Sequence, residues 1–157
     1  MTRKVIVSVV QVLLVLVALA ALAFLILEPQ VEGRNAHATP AEIYLGDGLL
    51  AYAYLGSLAF FTGIYWALRG LGCVRRGETI SSGTAESLRW IRNCAMVLLG
   101  FIAFSVVFFA SADPEDRPAG LFMRLLVGAP TGVVFLVSRV LERRVRKALG
   151  AAVGEVG

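Results

Sequence analysis

Histidine is nearly absent from this 157-residue chain, with one copy at His37, and cysteine occurs only at Cys73 and Cys94. So small a stock of imidazole and thiol leaves little for a metal centre or a Cys/His nucleophile pair, each of which draws several such side chains into one place. Charge is scarce too: 17% of residues are Asp, Glu, Lys or Arg, against 58% hydrophobic and a mean hydropathy of +0.78. Globular soluble domains run at about 45–50% apolar and about 25% charged. A single small soluble core is therefore excluded, and lipid is the solvent the composition fits.

What the chain has in abundance is uninterrupted apolar sequence. Val5 to Leu27 is broken only by Ser8 and Gln11, and Leu49–Leu71, Cys94–Ala112 and Leu121–Leu141 follow. A helical span needs about 20 such residues at about 1.5 Å each. The runs are continuous instead of alternating with a period of two, so they predict helices and not barrel strands. The expectation is an all-α integral membrane protein, a four-transmembrane-helix bundle with spans at 5–27, 49–71, 91–112 and 121–141. Residues 1–147 form one membrane domain in this reading, and 148–157 a flexible tail. The first run is far longer than a signal-peptide core of about 7–15 residues, and it ends well before the Ala36/Ala38 pair in "NAHATP", so it reads as a retained anchor.

Charge placement orients the spans. Arg3 and Lys4 precede the first; Arg75, Arg76, Arg89 and Arg92 lie between the second and third; Arg143, Arg144, Arg146 and Lys147 follow the fourth. The other two loops are acidic, with Glu28, Glu32, Glu42 and Asp47 against Arg34 in one, and Asp113, Glu115 and Asp116 against Arg117 in the other. The positive-inside bias puts both termini and the middle loop in the cytoplasm. The net charge of +4 is thus a topological signal. A basic run directly after a span, "RVLERRVRKALG", reads as lipid-headgroup contact at about 1 kcal/mol per basic residue, and no direct nucleic-acid binding is expected.

The middle loop, "CVRRGETISSGTAESLRWIRNCA", is too polar for the bilayer and too short for a domain. Gly70, Gly72 and Gly77 punctuate the end of the second span. Ser81 is placed to cap a new helix by accepting from the N–H of Gly83 or Thr84, with Ile80 folding back on Ala85. Leu88, Ile91 and Ala95 then share one helical face, Arg89, Arg92 and Asn93 lie on others, and Trp90 suits the membrane interface. The stretch predicts a short turn at Gly77 to Ile80 and a helix running unbroken into the third span.

The run "LAFFTGIYWALRGLGCVRRGETISSGTAESLRWIRNCAMVL", with "ADPEDRPAG" and the four-span layout, resembles the DUF2975 family of small bacterial membrane proteins. The resemblance is carried by the capping Ser81 and the basic segment Leu88, Arg89, Ile91, Arg92, Cys94 and Ala95. It implies a bacterial cytoplasmic (inner) membrane location and a four-span fold. It implies no activity; members often lie beside small helix-turn-helix regulators, which hints at partnership.

Chemistry is otherwise thin. His37 belongs to an outer loop and both cysteines to the inner side, which separates any Cys/His pair, and no carboxylate pair lies inside a span. No catalytic, cofactor or metal site is expected. Arg124 sits just inside the outer boundary of the fourth span, where it is expected to snorkel to the acidic loop or to lipid phosphates, because an arginine at a span's centre costs about 2.5–3.5 kcal/mol. Gly56, Gly63 and Gly70 recur every seven residues, Ala59, Gly63 and Ala67 every four, and Gly128 and Gly132 bracket Pro130, where a kink is expected. Small residues so spaced mark close helix contact, within the monomer or in a homo-oligomer.

The reading is a non-enzymatic membrane protein acting as a sensor or regulatory partner. Its contact residues for lipid, a cytosolic regulator or another membrane protein are Arg75, Arg76, Arg89, Arg92, Arg143, Arg144, Arg146 and Lys147. The alternative is a small permease, whose pathway would use Arg124, Pro130 and the glycine faces, with Ser57, Thr62, Ser105 and Thr131 as its only polar candidates at mid-membrane. For the topology, a cysteine introduced at His37 should react with an impermeant reagent in intact cells, and one at Ser82 should not. Labelling of the Ser82 variant from outside would overturn the orientation.

Overall fold

Water sorts side chains by polarity, but lipid tails are as apolar as leucine and sort them by size and hydrogen bonding instead. The computed structural model, which describes residues 2–31, 48–109 and 117–154, follows the second rule. Among the described residues the buried ones are Val7, Cys73, Thr84, Ala85, Ser87, Cys94, Ala95, Ser138 and Glu142, most of them small. The large apolar side chains face outward, among them Leu58, Phe104, Val107 and Leu125, whose relative exposures run from 57% to 75%.

The described residues form four helices: α1 (Thr2–Val31), α2 (Gly48–Arg75), α3 (Ser82–Phe109) and α4 (Arg117–Gly154). Each is long and apolar enough to cross a membrane, and there is no strand among the described residues. Residues 148–154, where the sequence predicts a flexible tail, are the last turns of α4, in keeping with the helix-favouring "KALGAAV". The acidic stretches 32–47 and 110–116, with His37, lie outside the described residues.

Each helix packs on the next: α1 on α2, α2 on α3, α3 on α4. Paired residues run in opposite directions at every step. The Gln11 side-chain amide donates to the Leu68 carbonyl at 3.3 Å near one end of α1, and the Tyr54 hydroxyl donates to the Leu25 carbonyl at 2.9 Å near the other. The four helices thus run alternately up and down, and the start of α1, the turn between α2 and α3 and the late part of α4 share one end. Arg3 donates to the Thr79 hydroxyl there.

The α2–α3 seam is close. A Cβ on Gly70 would lie 3.1 Å from Ser87 Cβ, on Gly63 3.4 Å from Cys94 Cβ, and on Gly56 3.5 Å from Phe101 Cδ1. The glycine row therefore meets a second row, Ser87, Cys94 and Phe101, with the same seven-residue spacing read backwards. Ser87 is fully buried, and its hydroxyl donates to the Gly83 carbonyl at 2.9 Å, so the buried polar group is satisfied. At the far end the Tyr52 hydroxyl donates to the Phe101 carbonyl. On α4, Gly128 faces Ile102 at 3.6 Å, whereas a Cβ on Gly132 would meet nothing. Pro130 lies inside an α4 that continues on both sides of it.

The turn between α2 and α3 closes as its sequence predicts. The N–H of Gly77 donates to Val74 O at 3.2 Å and that of Glu78 to Cys73 O at 3.0 Å, the paired bonds of a Schellman ending. Gly77 has φ +91°, the left-handed conformation that disfavours any other residue. Ser81 Oγ then accepts from Thr84 N at 3.2 Å, and the Thr84 hydroxyl donates to Glu78 O at 2.8 Å, so the cap is locked to the turn. Ile80 is 59% exposed, and the expected staple onto Ala85 adds little.

The seam generates a paired prediction. Gly70→Leu should lower stability in detergent by about 1–3 kcal/mol, the usual range for overpacking. Gly132→Leu, at an open position, should leave thermal unfolding unchanged or slightly improved. Equal effects would mean that the seam does not set the α2–α3 distance.

Candidate functional site: the basic end of the bundle

A long helix carrying "RVLERRVRK" must put some of its charged residues against a neighbour. Buried and half-buried positions on α4 follow an alternating step of four and three, through Gly128, Thr131, Phe135, Ser138, Glu142, Val145 and Leu149. That stripe turns Glu142 toward α3, where its side chain is only 6% exposed. Arg92 Nη1 donates to Glu142 Oε2 at 2.6 Å, and Arg146 Nε donates to Oε1 at 3.0 Å from one turn further along α4. Arg92 also donates to Asn93 Oδ1 at 3.1 Å. Both carboxylate oxygens are held by guanidinium groups, the condition under which a buried carboxylate is tolerated.

This triad is the feature that sequence reasoning missed. Glu142 reads as one acid in a basic run beside the membrane. The available signal was its placement four residues before Arg146 and four after Ser138, on the stripe that faces α3.

The eight basic residues expected to act together divide in two. Arg92 and Arg146 are engaged by Glu142, and Arg76 Nε lies 3.6 Å from the Glu78 carboxylate while its Nη2 donates to Cys73 Sγ at 3.4 Å. Arg75, Arg89, Arg143, Arg144 and Lys147 are exposed at the same end. An aromatic cluster lies beside them: Trp66 of α2 stacks on Trp90 of α3 with centroids 5.4 Å apart, and the Arg69 guanidinium lies 4.7 Å over the Trp66 ring. Paired tryptophans with a cation suit the headgroup level of a bilayer.

The mid-span serine and threonine hydroxyls are turned back on their own helices. Ser57 donates to Tyr54 O, Thr62 to Leu58 O, Ser105 to Ile102 O and Thr131 to Val127 O, all at 2.7 Å. Arg124 Nε donates to Ser105 Oγ at 3.1 Å, a contact with α3 that the sequence did not suggest; the acidic loop toward which it was expected to reach lies outside the described residues. Of the two thiols, Cys73 is buried against Gly83 and Cys94 against Gly63.

The arrangement is a membrane bundle closed by small residues and tied at its basic end by an ion triad around the buried Glu142. The family model described as a protein of unknown function (DUF2975) matches residues 5–151, nearly the whole of it. The chain belongs to the DUF2975 family. It is also 25% identical over 126 residues to the uncharacterized membrane protein YoaS of Bacillus subtilis (strain 168), covering 80% of this chain and 79% of that one. No solved structure matches.

For this DUF2975 chain, the triad makes a sharp prediction. Arg92→Met leaves the buried Glu142 carboxylate with Arg146 alone and should cost about 1–3 kcal/mol, the usual penalty for stripping a partner from a buried acceptor. The double replacement Arg92→Met with Glu142→Leu, which removes both charges, should recover most of that loss in thermal unfolding in detergent. Additive losses would show that the two residues do not act as a pair.

Proposed function

We propose that this DUF2975 chain is a non-enzymatic regulatory or sensory partner in the bacterial cytoplasmic membrane, with both termini and the basic end of the bundle in the cytoplasm. The observation that carries the reading is the division of its cations. Arg92 and Arg146 are spent on holding Glu142, while Arg75, Arg89, Arg143, Arg144 and Lys147 stand exposed at one end with no carboxylate in the described residues paired to them. Such a surface attracts an acidic partner or an anionic membrane and adds no catalytic group.

The permease alternative draws less support. A pathway needs polar groups that face it, and Ser57, Thr62, Ser105 and Thr131 each spend their proton on a carbonyl of their own helix. Neither of the two described cavities is lined by any of them.

The partner's surface is acidic on this reading. Reversal of Arg89, Arg143, Arg144 and Lys147 to Glu should abolish site-specific crosslinking of cytosolic proteins to this end in intact cells, with thermal unfolding of the bundle unchanged. An unaltered crosslinking pattern would remove the support for a regulatory role.

A further inference from the structure

A second feature of the same end lies on the opposite flank from the α3–α4 contact. Between α1 and α2 there is an open groove of about 770 Å³, lined by Lys4, Val5, Ser8, Val9, Val12, Leu13, Arg75 and Arg76. Its chemistry is graded along its length: three cations stand at the rim, and valine and leucine form the wall below. Arg3 fixes this arrangement by donating to the Thr79 hydroxyl of the α2–α3 turn, which holds the start of α1, and so Lys4, beside Arg75 and Arg76.

Dimensions suit one kind of occupant. From Lys4 to Leu13 the helix rises about 14 Å at about 1.5 Å per residue, close to the thickness of one leaflet's hydrocarbon at about half of 30 Å. A molecule with an anion at one end and an acyl chain of leaflet length fills both parts of the groove. A soluble acidic peptide would leave the wall at chain depth uncovered, and a small anion would use only the rim. Val5, Val9, Val12 and Leu13 are each more than half exposed, so the wall has no protein cover in the described bundle.

We infer that the α1–α2 groove is a discrete binding site for one anionic phospholipid, with its phosphate held by Lys4, Arg75 and Arg76 and an acyl chain lying along Val5, Val9, Val12 and Leu13. Glu78, 3.6 Å from Arg76, tempers the charge of the rim without neutralising it. The site shares only Arg75 with the exposed cations invoked for an acidic protein partner, and it stands or falls separately from that role. Its consequence for the fold is that the lipid headgroup joins the start of α1 to the end of α2 and the turn after it.

The test is native mass spectrometry of the full chain, delipidated in detergent and titrated with phosphatidylglycerol or phosphatidylcholine. The first phosphatidylglycerol should bind about tenfold or more tightly than phosphatidylcholine, as loss of attraction to even one or two cations would imply. Lys4→Ala with Arg75→Ala and Arg76→Ala should erase that preference, and Val9→Trp, which fills the wall and keeps every charge, should weaken binding as well. The same number of charges removed at Arg143, Arg144 and Lys147 should leave the preference intact. Equal binding of the two lipids, equal losses in both triple variants, or displacement of the lipid by millimolar inorganic phosphate would each overturn the proposal, the last by assigning the rim to a free anion. Crosslinking of cytosolic proteins at Arg144 is the independent readout that separates this result from the partner hypothesis.

Discussion

The close approach of α2 to α3 is the constraint from which the rest of the bundle follows. Three glycines at seven-residue spacing remove side chains from one face of α2, and Ser87, Cys94 and Phe101 of α3 occupy the space. In lipid no hydrophobic force drives such a contact, and its stability comes from van der Waals packing and from polar groups that find partners. Backbones this near leave no room for a large side chain at Gly70 or Gly63. The seam therefore fixes where α3 stands, and α3 in turn presents Arg92 to α4. Its register also sets Trp66 against Trp90 and brings the capped turn at Gly77–Ser81 to the end of the bundle.

Glu142 depends on that placement. A carboxylate this buried is tolerated only because guanidinium groups reach both of its oxygens, and one of them comes from the neighbouring helix. A shift of α3 along α4 by a single turn would move Arg92 by about 5.4 Å and leave the acid with Arg146 alone. Seam and triad are thus linked: the first holds α3 in position, and the second makes that position specific for α4.

Much of this was legible in the sequence for physical reasons. Continuous apolar runs of span length have few other uses, so the four helices were readable, as was the glycine row that lines their contact. Ser81 and Gly77 announced the turn because capping and positive φ are local demands met by particular residue types. The ion triad was not legible in the same way. Whether Glu142 faces lipid, water or α3 depends on the rotation of α4 and on Arg92 fifty positions earlier, and a basic run by itself does not reveal which of its members turn inward. The partner of Arg124 was hidden for a similar reason, since Ser105 becomes its neighbour only once the antiparallel register of α3 and α4 is known.

That register has a consequence for how the protein is made. A chain that enters the membrane from its N-terminus delivers α1 first, a helix apolar on nearly every side with Gln11 as the polar group deepest in it, and such a segment can wait in lipid alone. Glu142 arrives with the last of the four helices. By the time its carboxylate reaches the membrane surface, Arg92 has already been delivered on α3, and Ser105 likewise precedes Arg124. In both described polar contacts of α4 with α3, the α4 group is synthesised after its partner, so Glu142 and Arg124 each reach the membrane with a hydrogen-bonding group already waiting on α3.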